Sequence, residues 1–340
     1  MRRGVCTRYE GKKLLTAQHG IWIIAAAVCV QLLLCLTAKF HAYEYPFDTN
    51  AYRIYAERYA GAYSEETAAQ IAAELAAQIE IANTPMPENL TAEDYAEYRS
   101  AVMLAQSKCA VLQAISERYQ NLRDTGGALC YDLELRDLIA RYAVNWCSLL
   151  CIAVLTVKIM LSDSLCGMVQ LLYPTKAGRR RILAAKLVTV ALLSAAMTGI
   201  CLALQWGILS ARWQLGDWEQ PVQSVQILSG CALPVCIRQA VWLSAVMQLF
   251  GAVAAAILTA LCASLLEREI PAIAAAVMLI GIGAVLAGEY PQAMPLLLWF
   301  PLSGLRAFAD CSGGQIAVAA GCMLLRFLTV CCCILRRKAA

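Results

Sequence analysis

The sequence predicts an all-α polytopic membrane protein, with six transmembrane helices and a helical extracellular insertion between the first and second spans. Three observations lead to this prediction. Sixty per cent of the 340 residues are hydrophobic, and the mean hydropathy of +0.59 is far above that of soluble domains. Six apolar runs have about the length, roughly 20 residues, that a helix needs to cross a bilayer. The charged residues are also segregated along the chain.

The acidic residues are concentrated in one block. Residues 41–141 contain 16 Asp and Glu against 8 Lys and Arg, a net charge of −8. Because the whole chain carries +4, the remaining residues carry +12. Short cytoplasmic loops hold the excess of Lys and Arg in membrane proteins, so we expect the acidic block outside the cell and the basic segments inside. The basic residues are dispersed over the span ends, which argues against nucleic acid as a partner.

Residues 1–20 form a basic segment ahead of the first apolar run. Within it, Tyr9–Leu15 is polar on one side and apolar on the other. This pattern predicts either a short amphipathic helix or a positive flank that orients the first span. The run 21–38 is longer than the core of a signal peptide, about 7–15 residues, and five more apolar runs follow it. We therefore predict that 21–38 is a retained transmembrane helix.

Residues 39–142 are the one sizeable polar part of the sequence, and they predict an extracellular helical domain. Residues typical of a helix start recur at Ser64 and at Thr91, which Asp94 follows at capping-box spacing. Along the second of these helices, apolar residues recur every three or four positions and predict one buried face. These residues are Val102, Ala105, Cys109, Leu112, Ile115 and Tyr119. A helical hairpin or three-helix unit is the expected result.

Six tyrosines lie between the first span and the first of these helices. They are Tyr43, Tyr45, Tyr52, Tyr55, Tyr59 and Tyr63. An aromatic belt at the membrane interface, packing in the core of the domain and contact with a ligand all explain them.

The joint between the second and third spans, residues 163–186, is strongly basic. Its Gly178–Arg181 stretch cannot lie in hydrocarbon, and its arginines predict the cytoplasmic side. An apolar stripe at helical spacing precedes the arginines. Pro174 and Gly178 are then expected to break the helix and turn the chain back. An ordinary interfacial helix in a basic loop would explain the same pattern.

This joint resembles the first cytoplasmic loop of type-2 exporter permeases, the membrane subunits of certain ATP-binding-cassette (ABC) transporters. In that family an acidic residue and a glycine precede a Leu-Leu pair; a Pro or Thr turn, a Gly-Arg pair and a lysine that opens the next span follow. The matching residues are Asp163, Gly167, Leu171, Leu172, Pro174, Thr175, Gly178, Arg179 and Lys186, and Arg180 and Arg181 lengthen the basic run. The family more often has Glu at the position of Asp163. The resemblance implies a coupling loop that contacts an ABC ATPase subunit.

The resemblance also implies a function and partners for the whole chain. The chain would be the permease subunit of an ATP-driven ABC exporter and would pair with a second permease subunit, identical or related. ATP and Mg would be bound by the separate ATPase subunit, and this chain would hold no cofactor. The sequence has no Gly-x-x-x-x-Gly-Lys-Ser/Thr phosphate loop, and with only His19 and His41 it lacks the parts for His-based catalysis. We therefore expect no enzymatic activity. Residues 1–20 are similar to the cytoplasmic elbow segment of the same family.

Residues 143–340 are predicted to contain the five further spans. Their apolar runs are 143–161, 182–209, 240–266, 272–287 and 316–335. Residues 294–308 are interrupted by Pro295, Pro301 and Gly304, so they predict re-entrant or interfacial helices rather than a span. The same family has short helices at this position. Six spans place both termini in the cytoplasm of a multi-pass protein that contacts the lipid of the plasma membrane.

Arg326 lies near the middle of the predicted sixth span, where a charged residue costs roughly 2.5–3.5 kcal/mol to insert. Acidic residues are absent at this depth of the predicted spans. Its candidate partners are backbone carbonyls, Gln205 or Gln248, a lipid or another subunit. A role in substrate or subunit contact and simple snorkelling both explain the residue.

The cysteines of the predicted spans behave as small hydrophobes. Outside the spans, Cys109 with Cys130, and Cys231 with Cys236 or Cys311, are candidate disulfides that spacing alone does not decide.

A second function fits the same sequence. In this alternative the chain is a membrane sensor or accessory protein whose extracellular helical domain binds a ligand or partner, and no substrate crosses the membrane. It predicts that no ATPase subunit accompanies the chain, so a neighbouring reading frame for an ABC ATPase would separate the two functions. An intramembrane enzyme is disfavoured because the spans lack His pairs and paired acidic residues.

Overall fold

The computed structural model describes residues 12, 19–87, 91–165, 176–213, 215–290, 296–309 and 312–337. The α-helices of these ranges are α1 (Gly20–Thr37), α2 (Thr49–Arg58), α3 (Glu65–Ala82), α4 (Ala92–Thr125), α5 (Leu133–Tyr142), α6 (Trp146–Leu165), α7 (Lys176–Arg212), α8 (Ile237–Leu266), α9 (Glu269–Glu289), α10 (Trp299–Leu302) and α11 (Gly313–Arg337). Two-residue strands, β1 (Gly61–Ala62) and β2 (Ala128–Leu129), pair antiparallel. Apart from Lys12 and the last two residues, the predicted elbow segment lies outside the described residues.

Six of the described helices are long and apolar enough to cross a membrane, as the sequence predicts. The second of them, Leu133–Ser162, includes α5 and most of α6. We call α1, α6, α7, α8, α9 and α11 spans 1 to 6. The apolar stretches of spans 2, 3 and 4 are 67%, 44% and 56% buried, against 17%, 22% and 6% for spans 1, 5 and 6. Spans 2 to 4 are therefore the centre of the bundle.

The start of span 3 corrects one expectation about the joint. Gly178 was expected to end a helix, but it lies inside α7, which begins at Lys176. In the first turn of a helix the backbone N–H groups have no intrahelical partner. A glycine in this first turn destabilises the helix only slightly, because the usual cost of about 1 kcal/mol applies to helix interiors. Gly178 therefore does not end a helix within the described residues.

The connections after spans 1, 3 and 5 meet at one end of the bundle. They share a buried apolar cluster, which we call the end cluster. It contains Leu135, Leu138 and Ile139 of α5, Trp213, Leu215, Val222, Val225, Leu228 and Cys231 of the span 3–4 connection, and Phe300, Leu305, Ala307 and Phe308 of the span 5–6 connection. Consecutive spans run in opposite directions, so the connections after spans 1, 3 and 5 must lie on the same side of the membrane.

The unit formed by residues 39–142, which we call the polar unit, has the predicted helix starts. The Ser64 side chain accepts a hydrogen bond from the backbone N–H of Thr67 at the start of α3. Thr91 and Asp94 form a capping box at the start of α4. Such caps satisfy N–H groups that have no carbonyl partner within the helix. The two helices pack along each other as a hairpin.

The buried face of α4 is also largely as predicted. Ala105, Leu112, Ile115 and Tyr119 are buried, while Val102 and Cys109 are half-buried. The tyrosines divide by position: Tyr52, Tyr55 and Tyr59 are buried in the core of the polar unit, Tyr45 and Tyr63 pack against it, and Tyr43 is exposed. Core packing therefore explains five of the six.

The segment between spans 5 and 6 consists of two short helices, α10 and the 3₁₀ helix Gly304–Phe308. Pro301 packs against span 4 at Gly251, where an added Cβ would lie 3.0 Å from the proline Cβ. Gly304 has φ +60°, and an added Cβ there would lie 2.9 Å from the Ala143 carbonyl oxygen. The two helices are too short to cross a membrane. They pack against span 4 at Gly251 and, through Gly304, against Gln248 of span 4 and Ala143 just before span 2. Residues 294 and 295 of the predicted segment lie outside the described residues.

Candidate functional site

The structure describes the two flanks of the basic joint. Span 2 ends at Leu165, so the backbone of Asp163 lies in its last turn. Gly178 and Arg179 lie in the first turn of span 3, and Arg180 and Arg181 are exposed on the same helix. The remaining predicted coupling residues lie outside the described residues: Gly167, Leu171, Leu172, Pro174 and Thr175. The exposed arginines are available to a partner or to lipid headgroups.

Lys186 occupies a different environment from the arginines. Only 1% of its surface is exposed. Its Nζ donates hydrogen bonds to the Met160 carbonyl oxygen at 3.4 Å and to the Ser162 hydroxyl at 3.1 Å. Cations near a helix C-terminus interact favourably with its free carbonyls and dipole. Lys186 therefore links the start of span 3 to the end of span 2, on either side of the joint.

The joint also rests on a buried apolar cluster, which we call the joint cluster. It joins spans 2 to 6 and contains Val157, Met160, Leu161, Leu183, Leu187, Ala260, Ala263, Ala272 and Ile334. Close-packed interiors deform little and transmit strain. A displacement of the joint would therefore reach five spans.

Arg326 has a partner among the sequence candidates. Its guanidinium donates a hydrogen bond to the Leu296 carbonyl oxygen, in the segment between spans 5 and 6. Gln205 instead donates to the Tyr142 carbonyl oxygen at 2.5 Å. Arg326 thus connects span 6 to the segment that packs on span 4.

A buried ion pair joins the polar unit to the span 3–4 connection. Arg118 is 4% exposed and pairs with Asp132, which is 1% exposed. The same guanidinium donates to the Tyr52 hydroxyl at 2.8 Å and to the Ser224 carbonyl oxygen. Asp132 also accepts a hydrogen bond from the Gln226 backbone N–H at 2.9 Å. We call this set the Arg118 network.

Electrostatics keep the Arg118 guanidinium charged. Burial disfavours a charged guanidinium, but the neighbouring Asp132 and Tyr52 outweigh it, so the pKa of Arg118 is raised. Burial in turn raises the pKa of the Tyr52 hydroxyl, which stays a neutral donor and acceptor. Sequence reasoning missed this network. One signal was present: Arg118 lies three residues after Ile115 and four before Leu122, on the buried face of α4.

Two further groups of contacts lie near the end of span 1, one within the polar unit and one between spans 3 and 1. The Asp137 carboxylate accepts from the His41 ring at 3.0 Å and from Arg141 Nε at 2.7 Å. Arg212 donates to the carbonyl oxygens of Cys35 and Leu36, both at 2.7 Å. Carbonyls at the end of a helix have no intrahelical partner, so Arg212 caps span 1.

A cleft of about 640 Å³ opens beside α4. Its other sides are formed by α5, by the span 3–4 connection and by the residues just before α2. One wall presents Gln113, Glu117 and Asn121 of α4. The opposite wall contains aromatic rings of Tyr45 and Phe47, together with Arg136 and Gln226. A cavity of this size, with both apolar and polar walls, is within the range of ligand sites in proteins.

In the part of the chain that the structure describes, the cysteines outside the spans form none of the disulfides considered from the sequence. Cys109, Cys130, Cys231 and Cys236 are free thiols, and Cys311 lies outside the described residues. Within the described ranges, no group of three or more His, Cys, Asp and Glu side chains is arranged to hold a metal ion.

Cys130 should react slowly with alkylating reagents. Burial raises the pKa of its thiol from 9.0 to about 11, and the thiolate is the reactive form. At pH 8 we expect roughly 100-fold less thiolate than at an unperturbed cysteine, hence slow labelling by N-ethylmaleimide. Peptide mapping of the labelled native protein measures this, with half-buried Cys236 as the comparison and the denatured chain as the control. Equal labelling of the two native thiols would contradict the buried position of Cys130.

These features define an all-α, multi-pass membrane protein with a helical polar unit inserted between its first two spans. No protein-family model matches the chain, and neither a curated protein nor a solved structure is similar to it.

Proposed function

We propose that the chain is the permease subunit of an ATP-driven ABC exporter. A second permease subunit, identical or related, would complete the translocation path, and a separate ABC ATPase subunit would bind ATP and Mg. The chain itself would hold no cofactor and hydrolyse no ATP. The basic joint would lie in the cytoplasm with both termini, the polar unit would lie outside, and the spans would cross the plasma membrane.

The observation that carries this proposal is the position of the joint. Arg180 and Arg181 are exposed beside the joint cluster, into which spans 2 to 6 all contribute side chains. The polar unit and the end cluster lie at the other end of span 2, whose 20 residues extend about 30 Å. Positive charge is favoured on the cytoplasmic side, so the joint is well placed to contact an ATPase subunit there.

Coupling would then follow the contacts of the joint. An ATPase that pulls on the joint moves the end of span 2 and the start of span 3 together, because Lys186 bonds to both Met160 and Ser162. The joint cluster passes the movement to spans 4, 5 and 6. The sparsely buried spans 1, 5 and 6 leave apolar helix surface for lipid and for a second permease subunit.

Neutralising the arginines of the joint tests the proposal. Substituting Arg179, Arg180 and Arg181 by Gln should reduce copurification of the ATPase subunit at least about ten-fold, because charge-assisted contacts to its acidic groups are lost. ATPase stimulation by the permease should fall in parallel. Both are measured on membranes purified from the native host.

The matched control changes the other basic cluster, Arg336, Arg337 and Lys338, to Gln. Insertion and abundance of both variants are compared with the original chain. Unchanged copurification and stimulation in the joint variant would contradict the coupling role. If the original chain copurifies with no ABC ATPase at all, the permease function is wrong and the sensor alternative replaces it.

A further inference from the structure

The cleft of the polar unit has two walls of different chemistry. On α4, Gln113, Glu117 and Asn121 follow one another at intervals of four residues, so they form a row along one helix face. Four residues of helix rise about 6 Å, which makes the row about 12 Å long. An extended peptide covers that length with about four residues.

The opposite wall is aromatic and basic. The rings of Tyr45 and Phe47 are 5.6 Å apart, and Phe47 stacks on Tyr52 at 5.0 Å. The Arg136 guanidinium lies 5.6 Å from the centre of the Tyr45 ring and donates to the Gln226 side-chain oxygen at 2.6 Å. These contacts hold the guanidinium in place, and within the described residues some of its five N–H donors have no acceptor.

The charges in the cleft select among ligands. In the described part of the chain, Glu117 forms no hydrogen bond or ion pair through its carboxylate, whereas Glu44 is paired with Arg141. A ligand that is only cationic would meet Arg136, and one that is only anionic would meet Glu117. A ligand with one charge of each sign satisfies both. The amides of Gln113, Asn121 and Gln226 supply the donors and acceptors that a peptide backbone needs.

We propose that this cleft binds a short zwitterionic peptide. Glu117 accepts the hydrogen bonds of its ammonium group and Arg136 donates to its carboxylate. The aromatic wall contacts an apolar side chain. This inference does not depend on the exporter function, since it concerns the chain without any ATPase subunit.

Occupation of the cleft would also connect the polar unit to the spans. Gln226 belongs to the span 3–4 connection, and its backbone N–H is bonded to Asp132 in the Arg118 network. Glu117 precedes Arg118 directly on α4. A peptide between Glu117 and Gln226 therefore touches both sides of the contact that joins the polar unit to spans 3 and 4.

Calorimetric titration of the purified full-length chain in lipid nanodiscs tests the proposal. The probe is the peptide Ala-Ala-Phe-Ala, compared with its N-acetylated and its C-amidated form. We expect the free peptide to bind and each blocked form to bind at least about ten-fold more weakly, because each has lost one charged contact. Glu117→Gln should weaken the free peptide to a similar extent but leave the N-acetylated form unaffected. Arg136→Met should likewise weaken binding of the free peptide but leave binding of the C-amidated form unaffected.

Glu97→Gln and Arg123→Met, on exposed positions of the same helix outside the cleft, are the matched controls. A thermal melt of each variant shows whether the polar unit is folded. If Arg136→Met is unstable, Arg136→Lys takes its place, which keeps the positive charge but not the planar group of N–H donors. The proposal is overturned if the free peptide gives no heat at millimolar concentration, if blocked and free peptides bind equally, or if Glu97→Gln acts like Glu117→Gln. A joint variant with Arg179, Arg180 and Arg181 changed to Gln should bind the peptide normally, so the two proposals fail separately.

Discussion

Replacing Arg118 by methionine is expected to detach the polar unit from the span 3–4 connection. The substitution leaves the Asp132 carboxylate buried without its cation, and it removes the donors to Tyr52 and to the Ser224 carbonyl. Breaking a buried pair by removing one partner typically costs about 3–5 kcal/mol. Folded domains are stable by only about 5–15 kcal/mol, so this loss should be visible as a large fall in melting temperature and as new proteolytic cleavage in residues 91–142.

The control is Arg123→Met, which removes an exposed guanidinium from the same helix. A second variant, Arg118→Met with Asp132→Leu, should recover part of the lost stability, because a buried ion pair replaced by apolar groups is often neutral. Recovery will be incomplete, since the Gln226 backbone N–H loses its acceptor. If Arg118→Met melts like Arg123→Met, the ion pair does not hold the polar unit to the spans.

Substituting Gly251 by leucine is expected to displace the segment between spans 5 and 6. The first side-chain carbon alone would lie 3.0 Å from the Cβ of Pro301 and 3.1 Å from a methyl group of Leu302. Overpacking a filled interior typically costs about 1–3 kcal/mol. Leucine adds three further carbons, so we expect the upper part of this range. The displaced segment should also lose the hydrogen bond that Arg326 donates to the Leu296 carbonyl oxygen.

Thermal unfolding and accessibility of a cysteine introduced at Phe300, which is buried, measure the displacement. Gly281→Leu is the matched control, because an added Cβ at Gly281 has no neighbour within 4 Å. Equal stability of the two leucine variants, with Phe300 still protected, would show that the segment does not depend on close packing at Gly251.

The spans and the helix starts were predictable because they depend on local chemistry. A charged residue is costly in hydrocarbon wherever it lies, so the length of each apolar run was enough to find six spans. The Ser64 cap and the Thr91 capping box involve residues three positions apart. Gly178 was assigned wrongly for the same local reason: a glycine disfavours a helix on average, but its cost depends on where in the helix it lies.

Contacts between distant residues were not predictable. Arg118 and Ser224 are 106 residues apart, and Arg326 and Leu296 are 30 apart. Lys186 was expected to open span 3 as part of the coupling loop, but its bond to Ser162 depends on how two helices pack. The cleft likewise combines residues of α4, α5 and the span 3–4 connection, which no sequence interval brings together.

The amino-acid sequence by itself determined the number of spans, the helical nature of the polar unit and the buried face of α4. These follow from hydropathy, caps and periodicity, which act over a few neighbouring residues. Only the tertiary structure decided that the polar unit, the span 3–4 connection and the segment before span 6 share the end cluster. The reason is that a buried charge such as Arg118 requires partners, and only folding brings them from distant parts of the chain.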